Sequence, residues 1–191
     1  MRNLIVAAMT LLLATTTLFA QDALMKGAWD LGGSFSFSSS SGDLYENSDG
    51  DALSSFTFSP DLGYFVIDHL SIGALLSYGS MSQGDWKLSS FMFGPGINYY
   101  LAQAGPGSPY GHLAYVFGSR SSDYGDDDKY ESSNSALQLG VGYLIWLNEH
   151  VGLDLNLGYS MDSSKETSPD EGDAVKGSAF GLGVGFKIFD F

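Results

Sequence analysis

The segment that decides the fold is GSAFGLGVGFKIFDF, residues 177–191. Apolar side chains occupy every second position from 180 to 188, and glycine or lysine stands between them. Successive side chains of a β-strand point to opposite faces, so the pattern predicts a strand with one apolar face and one small or polar face. Two further aromatic residues, Phe189 and Phe191, follow this alternation.

Seven earlier segments alternate in the same way. They are residues 28–38, 53–66, 70–80, 90–101, 110–121, 135–147 and 151–161. Each is close to the length of about 9–11 residues that a tilted membrane strand needs. Short connections alternate along the chain with long polar ones (39–52, 81–89, 122–134 and 162–176). The sequence therefore predicts an all-β fold, an antiparallel eight-stranded up-and-down transmembrane β-barrel with both termini on the periplasmic side.

Aromatic residues favour a membrane barrel over a soluble one. They cluster near both ends of the predicted strands, as in the aromatic girdles of membrane barrels. The faces opposite them carry mostly Gly, Ser, Asn and Asp, which are too small and polar for a hydrophobic core. We place one group of aromatics at the periplasmic girdle: Trp29, Tyr64, Tyr99, Tyr110, Tyr143 and Trp146.

Over residues 21–191 this pattern resembles the small outer-membrane barrel proteins, in particular the OmpA-like barrels and the opacity-protein family. The resemblance implies that the terminal aromatics, Phe189 and Phe191, form the signal read by the barrel assembly machinery. In those families alternate residues counted back from the terminal Phe are apolar. Here Phe189 and Phe191 are out of phase with the apolar residues at positions 180 to 188. We therefore expect a slip or bulge near Ile188.

The N-terminus and the composition define the compartment. Residues 1–20 combine Arg2, an apolar run and small residues before Gln21, which predicts a Sec-type signal cleaved after Ala20 and an outer-membrane location. The chain has no cysteine, which excludes a disulfide-stapled secreted domain. Its net charge of −14 argues against nucleic acid as a partner. No cofactor-binding motif is present.

Charged residues are expected inside the barrel. Strand parity turns five of them inward, with Asn98, Gln138 and Asn156: Asp30, Asp61, Arg120, Asp154 and Lys187. Charges in a narrow lumen must pair, so we expect a structural network that locks the barrel. The alternative is a gated path for protons or ions, which the narrow lumen disfavours.

Signs of catalysis are few. No nucleophile elbow, H-E-x-x-H or P-loop motif occurs. Some eight-stranded outer-membrane barrels modify lipid A, and the deacylases among them use His and Ser two positions apart; His69 and Ser71 are the match here. They lie at a predicted periplasmic turn, which argues against that role. His69, His112 and His150 each begin a strand and are expected at the solvent-exposed rim, too far apart to share a metal ion.

Most of the 22 acidic residues lie in the long outer connections. Such loops can simply remain solvated, bind an extracellular ligand, or hold divalent ions against lipopolysaccharide phosphates. The expected partners are outer-membrane lipids, lipopolysaccharide and the assembly machinery. Polar loops favour a non-enzymatic structural or surface-interaction barrel. The second interpretation is a small transporter similar to OmpW-like barrels, and the third is a lipid A-modifying enzyme.

Overall fold

The computed structural model describes residues 22–42, 47–101, 106–124, 129–167 and 174–190. Eight antiparallel strands close into a barrel in sequence order, which confirms the predicted fold. A short 3-10 helix, Asp22–Leu24, precedes the first strand. The strands are β1 (Trp29–Ser40), β2 (Leu53–Ile67), β3 (Leu70–Gln83), β4 (Trp86–Tyr100), β5 (Gly107–Asp123), β6 (Lys129–Trp146), β7 (Val151–Glu166) and β8 (Val175–Asp190).

The strands are longer than predicted at their outer ends. β6 begins at Lys129 instead of residue 135, and β7 continues to Glu166 instead of residue 161. These extensions are rich in serine and charged residues, and they stay paired with their neighbours, as Asp123 with Lys129. A strand that has left the apolar band keeps its backbone pairing without an apolar face, so hydrophobic alternation cannot mark its end.

The outer face of the barrel is apolar, as the alternation predicted. Exposed apolar side chains run along every strand, among them Phe35, Leu62, Ile72, Phe93, Leu113, Val141, Leu155 and Leu182. Two of the predicted girdle aromatics are corrected, because Tyr110 and Trp146 are buried inside the barrel. The alternation of each strand turns both side chains inward. They were assigned to the girdle because they lie near the strand ends.

The predicted slip near Ile188 is wrong. Pairing of β8 with β1 and with β7 runs without a register shift through Ile188. Phe189 therefore keeps strict alternation and points into the barrel, where it is buried. Phe191, the other half of the predicted assembly signal, lies outside the described residues, as does the predicted signal peptide.

Closure between the first and last strands is partial. β1 pairs with β8 from Trp29, opposite Asp190, to Gly33, opposite Phe186. Every other neighbouring pair of strands is matched along most of its length. No helix among the described residues is long and apolar enough to cross a membrane.

Candidate functional site: the barrel lumen

Aromatic side chains fill the periplasmic end of the lumen. Phe65, Tyr100, Trp146 and Phe189 are fully buried there together with Leu144. The ring centroids of Trp146 and Phe189 are 4.8 Å apart, and those of Phe65 and Tyr100 are 5.6 Å apart. These rings come from four strands and interlock at the distances typical of packed aromatic pairs. We call these five residues the basal plug.

The segment before β1 folds across the basal plug. Ala23, Leu24 and Ala28 are buried in the same cluster. Backbone hydrogen bonds fix the segment in place: the Gly27 N–H donates to the Phe65 carbonyl at 2.9 Å, and the His69 N–H donates to the Leu24 carbonyl at 2.7 Å. The periplasmic end of the lumen is therefore closed both by side chains and by the chain itself.

Above the basal plug, an ammonium group bridges two carboxylates. Lys187 Nζ donates to Asp30 Oδ1 at 3.2 Å and also to Asp61 Oδ1. Asp30 is 0% exposed and Lys187 is 4% exposed, so water screens this contact little. Gly32 makes the room, because a Cβ there would lie 2.8 Å from Lys187 Cγ. The three charges join β8, β1 and β2, the strands at the closing seam.

A second polar cluster is formed by side chains of β4, β5 and β7. The Tyr110 hydroxyl donates to Asp154 Oδ1 at 2.7 Å, and Asn156 Nδ2 donates to Asp154 Oδ2 at 3.1 Å. Nearby, His112 Nδ1 and Asn98 Oδ1 are 2.7 Å apart. Asp154 is thus satisfied by neutral donors. A buried carboxylate with two hydrogen bonds needs no mobile counter-ion to be tolerated.

A cavity of about 480 Å³ lies above these clusters. Its floor carries charged and polar groups, and its lining extends along β7 to Ser160 and along β8 to Ala179. The floor includes Asp61, His112, Asp154, Asn156 and Lys187. The lumen is therefore a cup, closed at the periplasmic end.

The family model for the outer membrane protein beta-barrel domain matches residues 6–187. The chain belongs to this family. Membership of this family places the protein in the outer membrane, as the sequence predicted. Among curated proteins, none matches the chain significantly.

Solved structures agree with the fold. Neisserial surface protein A (NspA) is 17% identical, with a TM-score of 0.55 over 85% of this chain and 97% of its own. The N-terminal β-barrel domain of Pseudomonas aeruginosa OprF is 13% identical, with a TM-score of 0.52 over 86% of this chain and 98% of its own. OprG from Pseudomonas aeruginosa is 15% identical, with a TM-score of 0.51 over 87% and 97%. At these identities the likeness concerns the fold alone.

The barrel brings together part of the predicted charge network. Lys187 contacts both Asp30 and Asp61, whereas Asp154, on the neighbouring strand β7, has its own partners. Arg120 does not join them: it is exposed near the outer end of β5, opposite Ser90 and Ser132, and no ion pair of the described residues involves it. Strand alternation predicts whether the Arg120 side chain points inward or outward, but not its position along the barrel axis.

Sequence reasoning missed the aromatic side of the lumen. Phe65, Tyr100 and Tyr110 stand on the inward parity and are buried; of the three, Tyr110 had been assigned to the periplasmic girdle because it lies near a strand end. His112, expected at the solvent-exposed rim, is half-buried and hydrogen-bonded inside the barrel. The spacing of Tyr110, His112 and Ala114, two positions apart on one face, was the available signal.

The residues weighed for catalysis and metal binding lie as follows. Ser71 is fully buried, and His69 lies in the β2–β3 turn with a φ of 67°. Within the described ranges, no three His, Asp or Glu side chains are grouped so that they could hold a metal ion.

Proposed function

We propose that this outer-membrane β-barrel is non-enzymatic and acts as a structural and surface-interaction protein, not as a channel between the two sides of the membrane. The observation that carries this proposal is the basal plug. An eight-stranded barrel is just wide enough for side chains to fill its interior, and here aromatic rings occupy the periplasmic end. Below the ion cluster of Asp30, Asp61 and Lys187, an ion would have to displace packed rings to pass.

The outer ends of the hairpins support a role at the surface. β5 and β6 stay paired beyond the apolar band, up to Asp123 and Lys129, whose charged groups are 3.8 Å apart. Next to them, the exposed rings of Tyr124 and Tyr130 meet edge to face with centroids 5.9 Å apart. Exposed aromatic and charged groups are the kind of surface that binds a partner. The acidic loops would select a cationic or cation-bridged partner, such as lipopolysaccharide with divalent ions.

A second function, transport of small or hydrophobic solutes, is favoured by a different observation. The cavity lies beside the unpaired part of the β1–β8 seam, where Ser34 on β1 and residues 179–183 and 185 on β8 line it. A solute that entered from outside would leave sideways into the membrane, because the basal plug blocks the direct path. The two functions therefore differ in whether a solute passes through the barrel at all.

A deletion strain complemented with variants tests the first proposal. We expect loss of the protein to increase sensitivity to detergent, and the wild-type gene to restore resistance. Changing Asp126, Asp127 and Asp128 to Asn removes three negative charges from the segment between β5 and β6. Glu149→Gln, in the exposed periplasmic turn between β6 and β7, is the matched control.

The outcomes separate the proposals. Failure of the loop variant with full rescue by the control supports a surface-interaction role, whereas equal rescue by both leaves a purely structural role. Normal detergent resistance of the deletion strain, combined with slower uptake of a hydrophobic solute, would overturn the first proposal in favour of transport. An altered mass of lipid A on expression of the protein would contradict the non-enzymatic assignment.

A further inference from the structure

The strands β1 and β8 separate halfway along the barrel. Beyond Gly33, β1 continues to Ser40 paired with β2 alone. Beyond Phe186, β8 extends back to Val175 paired with β7 alone. All of these residues belong to the described part of the chain. Two strand edges therefore face each other without pairing in the outer half of the barrel.

The separated edges lie at the level of the lipid. Phe35 and Phe37 on β1 are exposed on the outer face, as are Leu182 and Val184 on β8. In the hydrocarbon region there is no water to hydrogen-bond a free N–H or C=O group, so an open strand edge is costly there. The edges must therefore find hydrogen-bond partners for part of the time.

The two edges match each other in register. Continuing the observed pairing beyond Gly33 and Phe186 sets Phe35 opposite Val184 and Phe37 opposite Leu182, which are all outward-facing apolar residues. It sets small residues opposite one another on the inner face: Ser34 with Gly185, Ser36 with Gly183 and Ser38 with Gly181. Apolar pairs toward lipid and small pairs toward the lumen fit a closed sheet without a clash.

A pivot lies at the point of separation. Gly33 has a φ of +148°, and a Cβ there would lie 2.8 Å from both Pro60 Cα and the Ser59 carbonyl oxygen. Pro60, its partner on β2, carries no N–H to donate. Glycine permits a backbone bend that other residues adopt with strain. Glycine therefore allows β1 to change direction where it leaves β8.

We propose that residues 34–40 of β1 and 179–185 of β8 form a lateral gate. The gate closes when the two edges pair in the continued register, and it opens by separation above Gly33. Because Ser34 on β1 and residues 179–183 and 185 on β8 line the 480 Å³ cavity, opening connects the cup to the outer leaflet of the membrane. The gate would supply the path that the transport function requires. The proposal itself is argued from the unpaired edges of β1 and β8 and depends on neither proposed function.

Paired cysteines test the closed state, and the chain has no native cysteine to interfere. Directly opposite residues of an antiparallel pair have Cβ atoms about 4.5–5.5 Å apart, which brings their thiols within reach of a disulfide. Phe35→Cys with Val184→Cys probes the gate on the lipid side. Ser38→Cys with Gly181→Cys probes it on the lumen side, where a Cβ on Gly181 meets no atom within 4 Å.

Two control pairs calibrate the measurement in native outer membranes after mild oxidation. Leu31→Cys with Ile188→Cys joins residues that are already opposite, and it should cross-link fully. Phe37→Cys with Phe186→Cys is out of register by four positions and sets the background. We expect both gate pairs to cross-link at least about tenfold above this background.

Cross-linking of the gate pairs no higher than the out-of-register pair, while the Leu31–Ile188 control is complete, would overturn the proposal. Each variant is accepted only when it shows the heat-dependent gel migration of the wild type. The two gate pairs lie on opposite faces, so failure of one variant to assemble leaves the other to decide.

Discussion

Lys187 Nζ lies 3.2 Å from Asp30 Oδ1, so an ion pair joins the last strand of the barrel to the first. Both residues stand in the paired part of the β1–β8 seam. Asp30 lies opposite Phe189, and Lys187 lies opposite Gly32. Lys187 also contacts Asp61 on β2. One ammonium group thus links three consecutive strands around the point of closure.

Replacing Lys187 with Met should destabilise the barrel. The change leaves Asp30 and Asp61 without their cation, and breaking a buried pair costs roughly 3–5 kcal/mol, less where water reaches the carboxylates. Urea unfolding in detergent or lipid measures the free energy of unfolding. Removing both carboxylates as well, by Asp30→Asn and Asp61→Asn, should recover much of the loss.

Arg120→Met is the matched control, because Arg120 also has inward parity but is exposed. Its unfolding free energy should stay within about 0.5 kcal/mol of the wild type. An equal loss for Arg120→Met and Lys187→Met would refute the assignment of the charge network to the seam.

The close approach of β4 and β5 should make the barrel sensitive to a side chain at Gly118. A Cβ on Gly118 would lie 1.9 Å from the Phe91 carbonyl oxygen, so Gly118→Ala must push β4 and β5 apart. We expect a loss of about 1–3 kcal/mol, as for other overpacked sites. Gly181→Ala is the control, since its Cβ meets nothing within 4 Å. Similar urea midpoints for both variants would contradict the strand spacing described above.

Depth in the membrane should determine the cost of a charge on the outer face. Leu155→Arg, at the centre of the outward apolar run 151–159 of β7, should cost about 2–4 kcal/mol, whereas Met161→Arg, beyond that run toward the outer end, should cost roughly 0–1 kcal/mol. The two side chains are equally exposed, at 40% and 41%, so exposure does not explain the difference. Equal unfolding free energies for the two variants would indicate an outer face in water.

The two terminal aromatics should have separable roles. Phe191→Asp should prevent assembly in the outer membrane, as the resemblance to outer-membrane barrels implies for the terminal residue. Phe189→Ala should assemble but unfold more easily by about 3–5 kcal/mol, because its ring is buried in the basal plug. Membrane fractionation with heat-shifted gel migration reports assembly. Normal assembly of the Phe191 variant would remove it from the signal.

Period-two alternation was sufficient to predict the number of strands, their order and their outward faces, because an apolar residue at every second position has few other interpretations. It also gave the inward face of Asp30, Asp61, Asp154 and Lys187. The outer ends of β6 and β7 could not be found this way, since pairing continues there between polar residues.

Height along the barrel was the main missing quantity. Arg120 and Lys187 share inward parity, yet one is exposed and the other buried. Parity says nothing about the stagger between strands, which decides which inward residues share a layer. The same gap explains the basal plug, because Trp146 and Phe189 are 43 residues apart in sequence and meet only once the barrel closes.

The conductance of purified barrels in planar lipid bilayers tests the closed base most directly. The wild type should show no ion current above that of the bare bilayer, because the basal plug fills the periplasmic end of the lumen. Trp146→Ala, which removes the ring that packs on Phe189, should introduce a measurable current, while Phe186→Ala on the lipid face should not. Steady channel current from the wild type, equal to that of Trp146→Ala, would contradict the account of this protein as a barrel closed at its base.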